Sequence, residues 1–318
     1  MLNISIPPLE NRGIVYKSTG SWYNVKAANG AVFSARMKGA LKLDGITSTN
    51  PVAVGDEVEL QNDTTQNDAI VITKIFDRKN YIARTSPHNK NQRHIVAANI
   101  DQVILFCTLK NPRTSTGFID RFLVCAEAFH VPSILVFNKA DIYKKKEADE
   151  LCKLISIYEN IGYPTLSVSL KTNDGIEQLK NTLHGKTSLL TGHSGVGKST
   201  FINAIFPDKN LRTQEVSDWS GKGMHTTTFA EMYDLPLGGR IIDTPGIREF
   251  GMADVERAEL SHYFPEMRKL LHDCRFHNCL HVEEPDCAVR QAVADGIVAP
   301  ERYLNYRNIL ESIEEKNY

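Results

Sequence analysis

Apolar and polar residues alternate in short runs along the first 77 positions of the chain. The runs are GIVYKS, SWYNVKA, AVFSARM, DEVELQ and AIVITKIF, and turn signals such as Asn29-Gly30 and Gly55-Asp56 separate them. Strands at this spacing, without an intervening helix, are typical of a small closed sheet. We therefore predict an all-β domain over residues 1–77. An OB-like (oligonucleotide-binding) barrel is one such sheet, and composition alone leaves other small barrels open.

The pattern changes near residue 100, where nearly continuous Val, Ile and Leu runs alternate with segments of helical periodicity. The strand-like runs are DQVILFCTL, SILVFNK, PTLSVSL and KTSLLTG. The helical segments between them are FIDRFLVCAEAFH, EADELCKLISIYENIG and DGIEQLKNTL. Strands without alternation are buried on both faces, which is characteristic of a parallel sheet covered by helices. Residues 100–251 are therefore predicted to form an α/β domain.

Two further segments complete the organisation of the chain. After Gly251 the sequence is helical and charged around a group of Cys and His residues, which predicts a helical zinc-binding domain over residues 252–318. Residues 78–99 contain no Asp or Glu but several basic or imidazole side chains: Arg78, Lys79, Arg84, His88, Lys90, Arg93 and His94. This basic linker is either a solvated connection or a local contact for nucleic acid.

Composition limits the classes of function. With 318 residues, 42% hydrophobic and 24% charged, the chain has enough apolar material for two or three packed domains. The net charge of −1 excludes a uniformly basic nucleic-acid binder. No signal sequence and no apolar run of about 18 residues is present, so we expect a cytoplasmic protein without a membrane partner. The expected oligomeric state is a monomer. Three cysteines in apolar periodic segments are predicted to be buried core residues: Cys107, Cys125 and Cys152.

A glycine-rich loop follows the last strand-like run. GHSGVGKST has the spacing Gly192-x-x-x-x-Gly197-Lys198-Ser199, between a predicted strand and a helix starting near Lys198. In this context backbone N–H groups wrap around phosphate oxygens, the lysine reaches the terminal phosphates and the Ser199 hydroxyl can bind Mg²⁺. The residues of this predicted phosphate loop are Gly192, His193, Ser194, Gly195, Val196, Gly197, Lys198, Ser199 and Thr200.

A second motif has the spacing that recognises guanine. Asn138-Lys139-Ala140-Asp141, here called the guanine segment, follows the SILVF strand and precedes the phosphate loop in the chain. The Asp141 carboxylate can accept hydrogen bonds from the ring N–H and the exocyclic amine of guanine, whereas adenine offers no such pair of donors. Ser169, at the end of the next strand, is a candidate for supporting the base.

Two later segments are candidates for sensing the γ-phosphate. The turn Asp243-Thr244-Pro245-Gly246 ends the strand RIID. The Asp243 carboxylate can hold Mg²⁺ through a water, and the Gly246 amide can contact the γ-phosphate. Upstream, GKGMHTTTF offers threonine hydroxyls for Mg²⁺, of which Thr227 is our candidate and Thr226 the alternative.

In chain order, the motifs NKAD, VSLK, GHSGVGKST, GMHTTT and DTPG resemble those of the circularly permuted GTPases of the RsgA family, also called YjeQ or YloQ. The resemblance extends to the barrel-like N-terminus, the GFIDRFLV stretch and the cysteine group. It implies a GTPase core rejoined in a different chain order, which hydrolyses GTP to GDP with Mg²⁺. It also implies a late checkpoint in maturation of the small (30S) ribosomal subunit, with contacts to its rRNA and stimulation of hydrolysis by the subunit.

The residue that follows the Asp-x-x-Gly turn bears on how the attacking water is oriented. Small GTPases place a glutamine directly after the Asp-x-x-Gly turn, whereas this chain has Ile247, which cannot hydrogen-bond to a water. Another group must take that role, and basal hydrolysis should be slow. His225, in the threonine segment, is our candidate catalytic residue, and the family resemblance implies the same.

The remaining three cysteines form the spacing Cys274-x4-Cys279-x-His281-x5-Cys287. Three thiolates and one imidazole are the donor set of a closed tetrahedral Zn²⁺ site, which predicts one structural zinc ion per chain. The family resemblance implies the same spacing and metal. Two neighbouring histidines compete with His281 for the fourth position: His272 and His277.

Two other functions remain open on sequence grounds. One is a nucleotide-gated RNA-binding module with incidental hydrolysis, whereas the basic linker and Trp22 or Tyr23 in the barrel are compatible with the rRNA contacts that the family resemblance implies. The other is a phosphate-loop ATPase or small-molecule kinase, which the spacing of the guanine segment opposes.

Overall fold

The computed structural model describes residues 11–38, 51–63, 69–86, 89–206, 230–244 and 255–313, of which 84–86 and 89–93 are described by their backbone alone. The chain forms two compact units. The first comprises Met1–Asp101, Leu183–Leu189 and Ser220–Pro245, and the second comprises Gln102–Thr182, Leu190–Trp219 and Gly246–Tyr318. Among the described residues, none of the helices combines the length and the apolar character needed to span a bilayer.

The first unit contains a closed five-stranded barrel. Its strands are β1 (Arg12–Ser18), β2 (Tyr23–Ala27), β3 (Val32–Met37), β4 (Glu57–Asp63) and β5 (Ala69–Ile75). Neighbouring strands pair in the order β1-β2-β3-β5-β4, and β4 pairs again with β1, which closes the sheet. Alternate residues such as Val15, Val25 and Leu60 are fully buried inside. The predicted N-terminal OB-like barrel is confirmed.

Residues 78–99, which we expected to be a basic linker, carry regular structure. Strands β6 (Tyr81–Ser86) and β7 (Asn89–Ala98) form an antiparallel hairpin. The side chain of Arg78, at the start of this segment, is only 8% exposed, and its guanidinium binds the buried Asp56 carboxylate with two bonds of 2.6 Å. Because this arginine compensates a buried carboxylate, it is not available to bind RNA, contrary to its inclusion in the basic patch.

The two barrel aromatics have different environments. Tyr23 is only 1% exposed, because it lies on the inward face of β2 together with Val25 and Ala27. The expectation that Tyr23 could stack on RNA is therefore wrong. Trp22 is 42% exposed, and the Arg36 guanidinium lies 3.9 Å from its ring centroid.

A second hairpin in the first unit was only partly predicted. Strands β12 (Glu231–Asp234) and β13 (Arg240–Asp243) are antiparallel, and β12 pairs with β1 of the barrel. Lys17 on β1 binds the Glu231 carboxylate at 3.0 Å, and the Asp234 carboxylate accepts the Tyr16 hydroxyl at 2.6 Å. The strand that leads to the Asp-Thr-Pro-Gly turn is therefore continuous with the barrel sheet.

The second unit has the predicted α/β organisation. Its strands are β8 (Gln102–Cys107), β9 (Ser133–Phe137) and β10 (Thr165–Ser167), and β11 (Thr187–Thr191) begins in the first unit and ends here. The helices that follow these strands are α1 (Thr116–Ala128), α2 (Lys145–Asn160), α3 (Ile176–Leu183) and α4 (Lys198–Ile205). β8, β9 and β10 are parallel neighbours, and every residue of β8 and β9 is buried. The central α/β fold is confirmed.

The cysteine predictions for this core are only partly correct. Cys107 and Cys125 are buried, but Cys152 is exposed. Helix α2 buries Leu151, Leu154 and Tyr158, which recur with the spacing of one helical face. Since Cys152 directly follows Leu151, it lies off that face and contacts solvent.

The C-terminal segment of the second unit is helical, as predicted, and packs on α1. It contains α5 (Pro265–Arg268), α6 (Ala288–Ala294) and α7 (Pro300–Ser312). Arg302 of α7, 2% exposed, binds the Asp120 carboxylate of α1 at 2.6 Å and the Glu266 carboxylate of α5 at 2.7 Å. Asn305 donates a further hydrogen bond to Asp120 at 2.6 Å. A buried charge without such partners would be strongly destabilising, so these contacts fix α7 against α1.

Candidate nucleotide site and metal cluster

The phosphate loop lies between β11 and α4 and depends on its glycines. Gly192, Gly195 and Gly197 have φ values of 136°, 79° and 108°, which other residues rarely adopt. A Cβ on Gly192 would lie 2.4 Å from the Phe106 carbonyl oxygen, and one on Gly197 would lie 2.2 Å from Asn138 Nδ2. The backbone therefore follows a path that only glycine allows, directly before the N-terminus of α4.

Two contacts hold this loop at His193. The Lys198 ammonium donates hydrogen bonds to the carbonyl oxygens of Gly192 and His193, the latter at 2.8 Å. The His193 imidazole stacks on the Phe118 ring of α1, with centroids 3.8 Å apart and planes inclined by 33°. Burial and the nearby Lys198 charge lower the pKa of His193, which favours the neutral imidazole.

The side chain of Asn138 joins three loops. It is 2% exposed, its Nδ2 donates to the Val196 carbonyl at 2.8 Å, and its Oδ1 accepts from the Leu170 amide at 3.2 Å. The guanine segment, the loop after β10 and the phosphate loop are thereby connected through one amide group. Asn138 is thus a structural link between the regions that sequence spacing assigned to base and phosphates.

The carboxylate of Asp141 is oriented by Ser169. The Ser169 hydroxyl is buried, donates to Asp141 Oδ1 at 2.7 Å and accepts from the Thr172 amide at 3.2 Å. Lys139 has a left-handed backbone, φ 67°, and its ammonium donates to the Asn111 carbonyl. The structure therefore brings Asn138, Asp141, Ser169 and the phosphate loop into one hydrogen-bonded group.

Tyr143 is a contributor that sequence reasoning missed. Its hydroxyl donates to the Asn138 carbonyl at 2.5 Å and accepts from the Leu109 amide at 2.9 Å. The loop after β8 is thus attached to the guanine segment. A tyrosine two residues after the motif gives no sequence signal for this role, because its partner Leu109 is distant in the chain.

For the other predicted site residues, the structure gives a position in the fold or an exposure, or the residue lies outside the described part of the chain. Ala140 lies in the short 3₁₀ turn that carries Asp141, and Ser194 and Thr200 are exposed. Asp243 is the last residue of β13, in the first unit, and Thr244 after it is buried. Five residues of the nucleotide-site predictions lie outside the described part of the chain: His225, Thr226, Thr227, Gly246 and Ile247.

The donor atoms of the Cys/His cluster near the C-terminus lie close together, as a metal site requires. The cluster consists of Cys274, Cys279, His281 and Cys287. All four side chains are buried, and their donor atoms lie within 4.8 Å of one another. His281 Nδ1 is 3.6 Å from Cys274 Sγ and 3.3 Å from Cys287 Sγ. Burial lowers the pKa of His281, which favours the neutral imidazole that binds metals. The competing histidines, His272 and His277, are both exposed.

Helix α7 supports the loop that carries His281. The Tyr303 hydroxyl donates to the His281 carbonyl at 2.7 Å, and the Tyr306 hydroxyl donates to the Leu280 carbonyl at 2.8 Å. The Glu284 carboxylate accepts the Leu280 amide at 2.7 Å from the other side of the turn. The donors are therefore held in place by the surrounding protein. Three thiols and an imidazole in a closed, buried arrangement fit a tetrahedral metal ion.

The fold and the nucleotide site together define the class of the protein. A guanine segment and a glycine-rich phosphate loop lie at the ends of strands of one α/β core, with the guanine segment first in the chain. In an ordinary GTPase that order is reversed. The protein is a GTPase with a circularly permuted core.

Sequence comparison identifies the family. The profile of the RsgA GTPase domain matches residues 75–253, and that of the RsgA N-terminal domain matches residues 12–71. A protein of Christiangramia forsetii named small ribosomal subunit biogenesis GTPase RsgA is 50% identical over 96% of this chain and 98% of its own length. Its namesake in Flavobacterium johnsoniae is 52% identical over 95% of this chain and 94% of its own. The chain belongs to the RsgA family of GTPases.

Solved structures agree with this assignment. YjeQ from Thermotoga maritima superposes with a TM-score of 0.75 at 35% identity, covering 97% of this chain and all (100%) of that one. YloQ, described as a circularly permuted GTPase, superposes with a TM-score of 0.71 at 29% identity and 96% coverage of both chains. The permuted order inferred from the motifs is confirmed.

Proposed function

We propose that this GTPase binds GTP through the guanine segment, Ser169 and the phosphate loop. Asp141 accepts the two guanine donors, and Ser169 holds the carboxylate in position for them. Asn138 fixes the position of the guanine segment relative to the phosphate loop. Backbone amides around Gly195 and Gly197 surround the phosphates. The hydrogen-bonded group centred on Asn138 supports this assignment most directly.

Mg²⁺ is the proposed partner of the bound GTP, and it would neutralise charge on the phosphates during transfer. The Ser199 hydroxyl, at the start of α4, is the proposed ligand in the phosphate loop. From the sequence motifs we keep Asp243 and Thr227, with Thr226 as the alternative, as further ligands or outer-sphere contacts. Gly246 is the proposed amide contact to the γ-phosphate.

The Cys/His cluster is proposed to bind one structural zinc ion. Zinc favours tetrahedral sulfur and nitrogen donors, and four protein ligands leave no open position for substrate. The ion would fix the loop between α5 and α6 against α7. We therefore assign the metal to folding and place it outside the hydrolysis reaction.

The proposed target is the small ribosomal subunit, on which the protein acts as a late maturation checkpoint in the cytoplasm, as a monomer. The names of relatives about half identical to this chain over nearly its full length support the target. Among the described barrel residues, exposed Trp22, with Arg36 over its ring, is the group best suited to stack on an rRNA base. The proposal predicts slow basal hydrolysis that the subunit accelerates.

Basal turnover is expected to be on the order of 10⁻⁴ to 10⁻² per second. Purified small subunits should raise the rate of single-turnover GTP hydrolysis by at least about 10-fold over this basal rate. Quench-flow or filter assays with small subunits, large subunits or neither give the comparison. Large subunits serve as the matched control because they are also RNA-rich. Equal rates in all three arms would contradict the checkpoint role and favour a nucleotide-gated RNA-binding module.

Asp141→Asn is expected to weaken GTP binding about 10- to 100-fold, because hydrogen bonds to a charged group contribute roughly 1.5–3 kcal/mol. Selectivity against inosine triphosphate, which lacks the exocyclic amine, should fall as well. Competition titration with a fluorescent guanine nucleotide measures both quantities. Asp149→Asn, the same chemical change at an exposed carboxylate of α2, is the control. Unchanged GTP preference in Asp141→Asn would remove the guanine segment from the site.

A further inference from the structure

His193 is the residue of the phosphate loop at which two separate contacts meet. Its backbone carbonyl accepts a hydrogen bond from the Lys198 ammonium at 2.8 Å. Its side chain stacks on Phe118 with ring centroids 3.8 Å apart. The position of the imidazole therefore influences the position of the carbonyl that holds Lys198, because both belong to one residue in a tightly turned loop.

The Phe118 ring is carried by a helix that is fixed in place. Ser115 caps α1 by accepting the Phe118 amide at 3.2 Å. Two residues after Phe118, the buried Asp120 carboxylate is bound by Arg302, Asn305 and Tyr158, at distances of 2.6, 2.6 and 2.8 Å. A carboxylate held by three partners in the interior resists displacement. The start of α1 is thus a rigid support, and His193 packs against it.

We propose that Phe118 is a positioning residue for nucleotide binding, acting through His193 on Lys198. The ring holds the imidazole, the imidazole sets the His193 carbonyl, and the carbonyl keeps the Lys198 ammonium over the loop where phosphates bind. This rests on the proposed assignment of the loop to GTP phosphates. Phe118 lies in the GFIDRFLV stretch, to which the phosphate and guanine motifs give no role.

The size of the effect follows from the strength of an aromatic pair. Such a contact changes an equilibrium by roughly 3- to 10-fold. Phe118→Ala is therefore expected to raise the Kd for GDP and the KM for GTP about 3- to 10-fold, with a smaller change in kcat. Phe118→Tyr keeps the ring and should restore affinity to within about 2-fold of the natural protein. A purely structural defect would instead lower the amount of active protein without changing its Kd.

The test is a double-mutant cycle on the full-length chain. Kd for fluorescent GDP is measured for the natural protein, Phe118→Ala, His193→Ala and the double variant, with thermal melts to establish folding. If the contact acts as proposed, the double variant loses little more affinity than either single variant. Ile297→Ala, which truncates an exposed apolar side chain outside the nucleotide site and the Cys/His cluster, is the control and should bind GDP normally.

Lys198→Ala separates failure of the inference from failure of the proposed site. Loss of GDP binding in Lys198→Ala supports the phosphate-loop assignment. If, in addition, the effects of Phe118→Ala and His193→Ala on Kd multiply in the double variant, or Phe118→Ala binds GDP normally, the positioning role is wrong while that assignment stands. If Lys198→Ala binds GDP like the natural protein, the phosphate-loop assignment fails and the inference falls with it.

Discussion

Cys287→Ala is expected to release the proposed zinc ion and to unfold the C-terminal segment. Structural zinc contributes on the order of 10–16 kcal/mol of apparent binding free energy in small zinc domains, so loss of one of four ligands removes a large stabilising contribution. The other three donors would remain buried close together without a cation. Metal analysis should give one zinc per natural chain and close to none in the variant.

The effect should spread to α7 because the cluster and this helix share contacts. Tyr303 and Tyr306 bind carbonyl oxygens of the loop that carries His281. When that loop loses its metal, both hydroxyls lose fixed acceptors, and the melting temperature should fall together with protease resistance of the C-terminal segment. The core of the α/β fold has its own buried strands and should persist.

Two control variants test the ligand assignment. Cys152→Ala removes the exposed cysteine of α2 and should keep the zinc content and melting temperature of the natural protein. His277→Ala removes the exposed competing histidine and should also keep the metal. Zinc retention in Cys287→Ala, or zinc loss in His277→Ala, would contradict the four-ligand assignment, and metal-free natural protein would contradict the zinc proposal itself.

Features set by local sequence were predictable. The strands of the barrel alternate in burial as the apolar pattern requires, and β8 and β9 are buried at every position, as their continuous apolar runs indicate. The phosphate loop was recognisable because its backbone needs glycine at fixed positions, and the spacing of those glycines is visible in the sequence. The cysteine spacing likewise placed four donors within reach of one metal ion.

Features set by distant partners were not predictable from one sequence. Arg78 looked like part of a basic patch, because nothing local shows that Asp56 pairs with it inside the protein. Asn138 links two other loops through contacts 58 and 32 residues away in the chain. The Arg302–Asp120 pair spans 182 residues, and neither motif nor periodicity marks it. Such side chains acquire their roles only from the tertiary fold.

Our candidate for the group that orients the attacking water rests on the sequence. Ile247 follows the Asp-Thr-Pro-Gly turn and cannot orient a water. His193 is a second histidine to consider, because it lies in the phosphate loop and is among the described residues. Its ring, however, stacks on Phe118, and burial lowers its pKa. That engagement favours a role in holding the loop. His225 stays our candidate, from the sequence of the threonine segment.

His225→Ala is expected to lose most of the turnover that the small subunit stimulates, by roughly 10²- to 10⁴-fold, the range for a positioned acid or base group. GTP affinity should stay nearly unchanged, because the base and phosphate contacts proposed above do not involve this imidazole. Basal turnover should change much less, since slow GTPases lack a fully assembled catalytic set. The measurement is single-turnover hydrolysis at saturating subunit, with His184→Ala as an exposed-histidine control. Equal stimulated rates for His225→Ala and the natural protein would show that the ribosomal partner or another residue orients the water.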